Sequence, residues 1–354
     1  MNRWQNCLKD LWKIELLREL VLSVAAIMLA LLAGGLLVLI LGESPLEAYS
    51  ALWQGSFGSA RSLANTLAKA TPLIFTGLAV GVAFQCGLFN IGAEGQLYIG
   101  AFVSALAALL LPLMPKIIFL PLVVLAGMLA AGLWGAVAGF LKAKFGTHEV
   151  IVTVMSNYVA IYLTSYLVNY PFKEPGPVAQ TVELPAAASF LKLLPRTQLT
   201  TAFVLAVLLA AVVYWLLWYT TLGFQIRAVG ENQLAAEAGG VSIMKSMVLA
   251  MGISGALAAM GGISQVLGIN HRFIDGFSPG YGFTGIAVAV LGRNHPFGIM
   301  LTALLFGALD AGALQLNRTT SISAKWVMVI QGLVILFVAA PEIFKFLMKR
   351  RVHA

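Results

Sequence analysis

Apolar residues run in blocks of about 20 rather than alternating, and each block is long enough to cross a hydrocarbon core of about 30 Å as a helix. The blocks predict spans at Leu20 to Gly42, Leu63 to Phe84, Leu88 to Leu111, Ile117 to Leu141, Glu149 to Tyr170, Gln198 to Thr220, Met247 to Gly268, Gly282 to Leu291, Pro296 to Leu316 and Lys325 to Ala340. The expected fold class is therefore an all-α integral membrane protein with about ten transmembrane helices. Residues 1–354 form one transmembrane domain, with a head at 1–19, a long polar loop at 221–246 and a tail at 341–354 on one side. Lys142, Lys144, Arg227, Lys245 and the run Lys349 to Arg351 fall on that same side, which places both termini in the cytoplasm.

Two spans are interrupted. A glycine-rich stretch, Asn90 to Gly95, precedes the third, and Ser278-Pro279-Gly280-Tyr281-Gly282 precedes the unusually short eighth. Each break lies between the first and second members of a four-span block, spans two to five and seven to ten, and the blocks enter the membrane from opposite sides. That is the pattern of an inverted repeat, whose broken helices often mark a transport path. In span seven, Gly252, Gly255, Ala256, Ala259 and Gly262 are read instead as small residues that let helices pack closely.

Composition narrows the class further. Of 354 residues, 60% are hydrophobic and 10% charged, against about 25% charged in soluble domains. Ten spans leave room only for short loops and tails, so no separate soluble domain fits. The net charge of +8 would point to nucleic acid in a soluble chain; here the basic residues flank apolar spans, and no nucleic-acid partner is expected. Cys7 and Cys86 form no CxxC pair and the four histidines make no zinc pattern, so no metal site is expected. The first apolar run is too long for a signal-peptide core and follows a head containing Asp10, Glu15 and Glu19, which argues against cleavage.

Polar residues inside the spans carry the candidate chemistry. Thr153, Ser156, Asn157, Ala160 and Thr164 share one face of span five; the face either lines a polar path or lets Asn157 bond a neighbouring helix. Glu94 stands in the first turn after the glycine break, with Asn90 available as a cap and Gln96 beside it. The alternative reading of that segment is a hinge or gate with unwound backbone along the pathway. Asp310, inside span nine, faces either a cavity or a partner, and pairing with Arg318 or Lys325 is the preferred reading. In the long loop, Asn232 can cap a helix from Gln233 to Ala238 that Gly239 or Gly240 would stop. So short a helix is unstable alone in water, which calls for a docking partner.

Some chemistry is missing. No lysine follows a glycine, so the chain has no GxxxxGK[ST] phosphate loop of its own. Gly252-Ile253-Ser254-Gly255 resembles an intramembrane serine nucleophile motif, but His148, His271, His295 and His353 fall in loops, at span ends or in the tail, out of hydrogen-bond reach. The enzyme reading is set aside.

With these residues in place, the chain resembles the permease subunits of ABC importers, in the branch that serves branched-chain amino acids, simple sugars and nucleosides. The string from Gly87 to Gln96, GLFNIGAEGQ, resembles that branch's signature, and Glu149 to Tyr158, EVIVTVMSNY, is similar to the nucleoside group's pattern. Gly176-Pro177 with Gln180-Thr181, the stretch Gly223 to Ala236, and Gly285 to Pro296 extend the likeness. The sequence departs from the family pattern at Gln85, His148, Ser156 and Ala238. The resemblance implies a fold like that of type II ABC importers and a bacterial plasma-membrane importer that translocates nucleosides. It implies a second permease chain, a separate ABC ATPase that uses ATP, and an extracytoplasmic substrate-binding lipoprotein as partners, with no cofactor on this chain. It makes Asn90, Glu94, Gln96, Asn157 and Tyr158 pathway candidates, and Arg227, Glu231, Asn232, Leu234 and Ala235 candidates for coupling to the ATPase. A sugar or branched-chain amino acid permease, or a self-sufficient secondary transporter, are the alternatives.

Overall fold

The computed structural model describes residues 28–40 and 42–337. The head at 1–19, the tail at 341–354 and the outer parts of the first and tenth expected spans lie outside them. Among the described residues the helices are α1 (Met28–Ile40), α2 (Pro45–Phe57), α3 (Ala60–Gln85), α4 (Ala93–Leu110), α5 (Lys116–Phe145), α6 (Glu149–Asn169), α7 (Thr201–Tyr219), α8 (Thr221–Glu231), α9 (Gln233–Ala238), α10 (Ile243–Gln265), α11 (Tyr281–Leu291), α12 (Pro296–Thr319) and α13 (Trp326–Phe337). Seven of them, α3 to α7, α10 and α12, are long and apolar enough to cross a membrane; α1, α11 and α13 are shorter apolar helices. Each of the ten apolar blocks thus falls on one helix.

The chain forms two compact units, one from 60 to 308 and the other from the flanking segments on either side of it. The flanking unit packs Val38, Ala48, Leu52, Leu309, Leu316 and Ile330 into a core. Its helix α2 was not foreseen. The start signal is local: Ser44 caps it, Pro45 sets its first turn, and Glu47 is acidic in that turn. Asp310 accepts a hydrogen bond from Gln331 Nε2 at 2.9 Å, a partner the sequence had not singled out beside Arg318 and Lys325.

In the larger unit α10 lies against α5, α3 and α4. Small residues make that possible: a Cβ at Gly255 would sit 2.3 Å from the Ala131 carbonyl oxygen, and one at Gly262 2.4 Å from that of Leu97. Packing is therefore what these residues of span seven do. Burial separates two classes of helix. The apolar windows of α3, α4 and α10 are 72–83% buried, whereas those of α5, α6 and α7 are only 22–28% buried, so the latter keep wide apolar faces for lipid or another chain.

One end of this unit is closed by the α6–α7 connection. Thr181 N–H donates to the Phe273 carbonyl, Asp275 N–H to that of Ala179 and Leu184 N–H to that of His271, each at 2.9 Å. Arg272 pairs with Glu174 at 2.9 Å and Glu183 at 3.5 Å. Burial, with Lys192 and Lys116 nearby, holds the His271 imidazole below its ordinary pKa against the pull of Glu183. The opposite end carries α8 and α9. The sequence had left 221–232 as loop; it is helical because Thr220 caps it, accepting from Gly223 N–H at 3.1 Å, and because Ile226 and Val229 bury. α9 has the expected bounds, with Asn232 Oδ1 accepting from Ala235 N–H at 3.0 Å and Gly239 at its end.

Candidate functional site

Two helices of the larger unit begin abruptly, and their beginnings meet. α3 ends at Gln85, residues 86–92 are non-helical, and α4 starts at Ala93. α11 starts at Tyr281 after Gly280, whose φ of 98° lies in the left-handed region. A Cβ at Gly282 would lie 2.3 Å from the Glu94 nitrogen and 2.5 Å from its Cα, so the first turns of the two helices touch backbone to backbone.

Neither helix carries its own side-chain cap on the residue before it. Asn90 was expected to cap α4, but Gly92 occupies that position, and the Asn90 side chain turns elsewhere. Caps arrive instead from other helices. Asn157 on α6 accepts from the Gly95 N–H at 2.7 Å and donates from Nδ2 to the Ile91 carbonyl at 2.8 Å. Gly95 is the third residue of α4, whose N–H a local cap would ordinarily satisfy. For α11, Glu94 Oε2 accepts from the Gly282 N–H at 2.5 Å, and Ser278 Oγ accepts from Gly280 and Tyr281 at 3.2 Å each. Glu94 is 3% exposed. Its carboxylate can be held at such depth because it faces the positive ends of two helices at once.

A second buried set braces the break. Asn90 Nδ2 donates to Gln96 Oε1 at 2.9 Å and to Ser254 Oγ at 2.8 Å, and Gln96 Nε2 returns a bond to Asn90 Oδ1 at 3.3 Å. Ser254 gives its own proton to the Ala79 carbonyl at 2.5 Å. That hydroxyl is a structural link between α10, α3 and the break. Thr76 on α3 donates to the Tyr281 carbonyl at 3.0 Å and completes the bracing of α11.

The structure brings together four of the five pathway candidates, Asn90, Glu94, Gln96 and Asn157. Tyr158 stands apart: it is 53% exposed and stacks on Tyr162 of the same helix. Gly282 and Ser278 were missed as partners of Glu94; the only sequence signal for them was the second break. Of the coupling candidates, Glu231, Asn232, Leu234 and Ala235 are exposed. Arg227 is held against the chain as well: its Nε donates to the Leu217 carbonyl at 3.0 Å and its guanidinium lies over Trp218, tying α8 to α7.

Asn157→Ala is expected to lower stability by about 1–2 kcal/mol, the usual cost of losing a cap, with Asn157→Asp losing more, because its second oxygen would face the Ile91 carbonyl that Nδ2 now bonds in a site that is 2% exposed. Thermal unfolding of the detergent-solubilised protein checks the order; equal melting of all three chains would show that the cap does not hold α4.

A family model described as "Branched-chain amino acid transport system / permease component" matches residues 62–339. The guanosine ABC transporter permease protein NupP of Bacillus subtilis is 38% identical over 341 residues, covering 95% of this chain and 97% of that one. A glucose ABC transporter permease protein of Haloferax volcanii is 36% identical over 336 residues, 91% of this chain and 87% of that one. Bacillus subtilis has a second guanosine ABC transporter permease protein, NupQ, that is 30% identical over 251 residues, 68% of this chain and 78% of that one.

Proposed function

The chain belongs to the family of branched-chain amino acid transport system permease components, and from that premise we propose that it carries nucleosides into a bacterial cell as one permease of an ATP-driven importer. The observation that carries the transport mechanism is the meeting of two broken helices, α4 and α11, at a buried carboxylate. Such a joint can exist in two arrangements with few backbone bonds exchanged, because the bonds that fix it come from side chains on α6 and from Glu94.

The drive comes from the α8–α9 segment. Phe224 and Leu234 are 60% and 79% exposed beside Glu231, Asn232 and Ala235, a surface that suits docking by the ABC ATPase. α8 touches the other end of the break directly, since the position of a Cβ at Gly230 lies 2.2 Å from the Gln85 carbonyl oxygen. Motion of the ATPase on α9 reaches the joint through this contact, and ATP shifts the population between two states by binding them differently. The α8–α9 end faces the cytoplasm with both termini, and the capped opposite end meets a substrate-binding lipoprotein. The second permease is a different chain, as the two guanosine permeases of one organism are, and it covers part of the apolar surface on α5 to α7.

The nucleoside reading rests on the likeness to a guanosine permease over nearly the full length of both chains and on the string from Glu149 to Tyr158. A sugar reading is favoured by the glucose permease of Haloferax volcanii. Energised uptake of labelled guanosine in cells with and without this gene, competed by glucose, ribose and leucine, decides between them. Block by glucose alone would overturn the nucleoside reading, and failure to co-purify with an ATPase would overturn the docking role. Uptake that stops on collapse of the proton and sodium gradients while ATP remains would mark a secondary transporter instead. Glu231→Arg, on the exposed docking surface, is expected to reduce uptake about tenfold or more by placing a like charge or a clash at the contact, with membrane abundance unchanged. Full uptake in that variant would move the docking surface elsewhere.

A further inference from the structure

A cavity of about 370 Å³ lies on the side of the joint away from α8 and α9, lined among others by Lys69, Gln198, Gln265, Asn270, Phe277 and Tyr281. Its volume is within the ~300–1,000 Å³ range of small-molecule sites. Tyr281 is the first residue of α11, so the cavity borders the Glu94–Gly282 joint itself.

Part of its polar lining has no partner within the chain. Among the described residues, the side-chain amides of Gln265, Asn270 and Gln198 make no hydrogen bond and Lys69 makes no ion pair, although Gln265 is only 9% exposed. Gln198 is exposed and Asn270 and Lys69 are half-buried, so these groups open onto the cavity, and a cation inside an apolar helix is ordinarily paired. The backbone is also special here: α10 ends in a π turn, Val266–Asn270, and His271 follows with φ of 51°. Single π turns occur often at functional sites, and this one delivers Asn270.

We propose that this cavity is a substrate site that takes a neutral nucleoside, a reading that rests on the nucleoside transport argued above. Amides can both donate to and accept from the edge of a base, and Phe277 and Tyr281 add aromatic surface to the lining. The Lys69 ammonium is a donor for a base carbonyl or ring nitrogen. Among the described residues no carboxylate lines the cavity, so the ammonium group of an amino acid would enter unpaired, which selects against that class. A nucleoside seated here rests against the first turn of α11 and reports its presence to the joint.

The test uses the whole transporter, with its second permease, ATPase and binding protein, in membranes. In a Cys7→Ser background, where Cys86 is buried, Ile269→Cys places a thiol on the cavity wall without touching its amides. Guanosine is expected to slow labelling by a membrane-impermeant maleimide about threefold or more, and leucine to leave it unchanged. The double variant Gln265→Ala, Asn270→Ala is expected to cut guanosine uptake about tenfold or more at equal membrane abundance and equal co-purification with the ATPase. Should that variant fail to fold, the labelling result stands alone. Unchanged labelling in a complex that imports guanosine overturns the cavity and leaves the nucleoside function in place. Import of glucose but not guanosine overturns the nucleoside function, and protection by glucose then assigns the cavity to that sugar.

Discussion

A chain carrying Gly282→Ala is expected to lose about 2.5–6 kcal/mol of stability, from overpacking of about 1–3 kcal/mol and the loss of a charged hydrogen bond worth about 1.5–3. The added methyl would meet the Glu94 nitrogen at 2.3 Å, its Cα at 2.5 Å and the Ala93 carbonyl carbon at 2.8 Å. All three are backbone atoms, so no side-chain rotation relieves them. The helices must separate, and separation pulls the Gly282 N–H from Glu94 Oε2 and leaves a carboxylate buried without its partner. Against a total stability of about 5–15 kcal/mol, that is enough to deplete the folded protein from the membrane. Gly252→Ala is the control, since its methyl would meet nothing nearer than 3.6 Å and alanine favours the helix by up to about 1 kcal/mol. Thermal unfolding and membrane abundance of the two variants check the claim; similar behaviour would mean that α4 and α11 do not need to touch.

How much of this joint the sequence disclosed follows from the range of the interactions that make it. Signals that act over one helical turn were legible. Asn232 and Gly239 bracket α9 at the expected residues, and the glycines at 92 and 95 marked the break. Ser44, Pro45 and Glu47 also spell a helix start, but the 13 residues of α2 form no apolar block, so hydrophobic patterning does not mark it. α8 was missed for a related reason, because its glycines at 223 and 230 lower helix propensity while their function, close approach to neighbouring backbone, depends on tertiary packing. The caps were beyond reach altogether. Asn157 serves Gly95 across 62 residues and Glu94 serves Gly282 across 188, so the break lies earlier than the glycines suggest, at 86–92: Ala93 to Gly95 are helical because distant side chains satisfy their first turn. Asn90, assigned as a local cap from its position, is drawn instead to Ser254 across 164 residues.

The same reasoning makes Gly230→Val the most informative functional variant. Gly230 is the point where α8 crosses the end of α3: a Cβ there would lie 2.2 Å from the Gln85 carbonyl oxygen and 3.0 Å from the Gly87 nitrogen. Gln85 is further held by its Nε2, which donates to the Asn294 carbonyl at 3.3 Å, in the turn that links α11 to α12. The contact therefore touches the connection leading into α4 and, through Asn294, the connection leaving α11, the two segments whose far ends meet at Glu94. A valine must lift α8 from this corner. The membrane helices lose little by it, because Ile226 and Val229 still bury and Arg227 still holds Leu217, but movement at α9 is no longer delivered to the joint. Uptake is expected to fall about 100-fold or more, with the ATPase still bound and still hydrolysing, which is the signature of lost coupling rather than lost assembly. Gln225→Ala, on the exposed side of α8, is expected to transport normally. If Gly230→Val transports as well as the unaltered chain, the force that opens the joint enters by another route, and the close approach of α8 to Gln85 is packing alone.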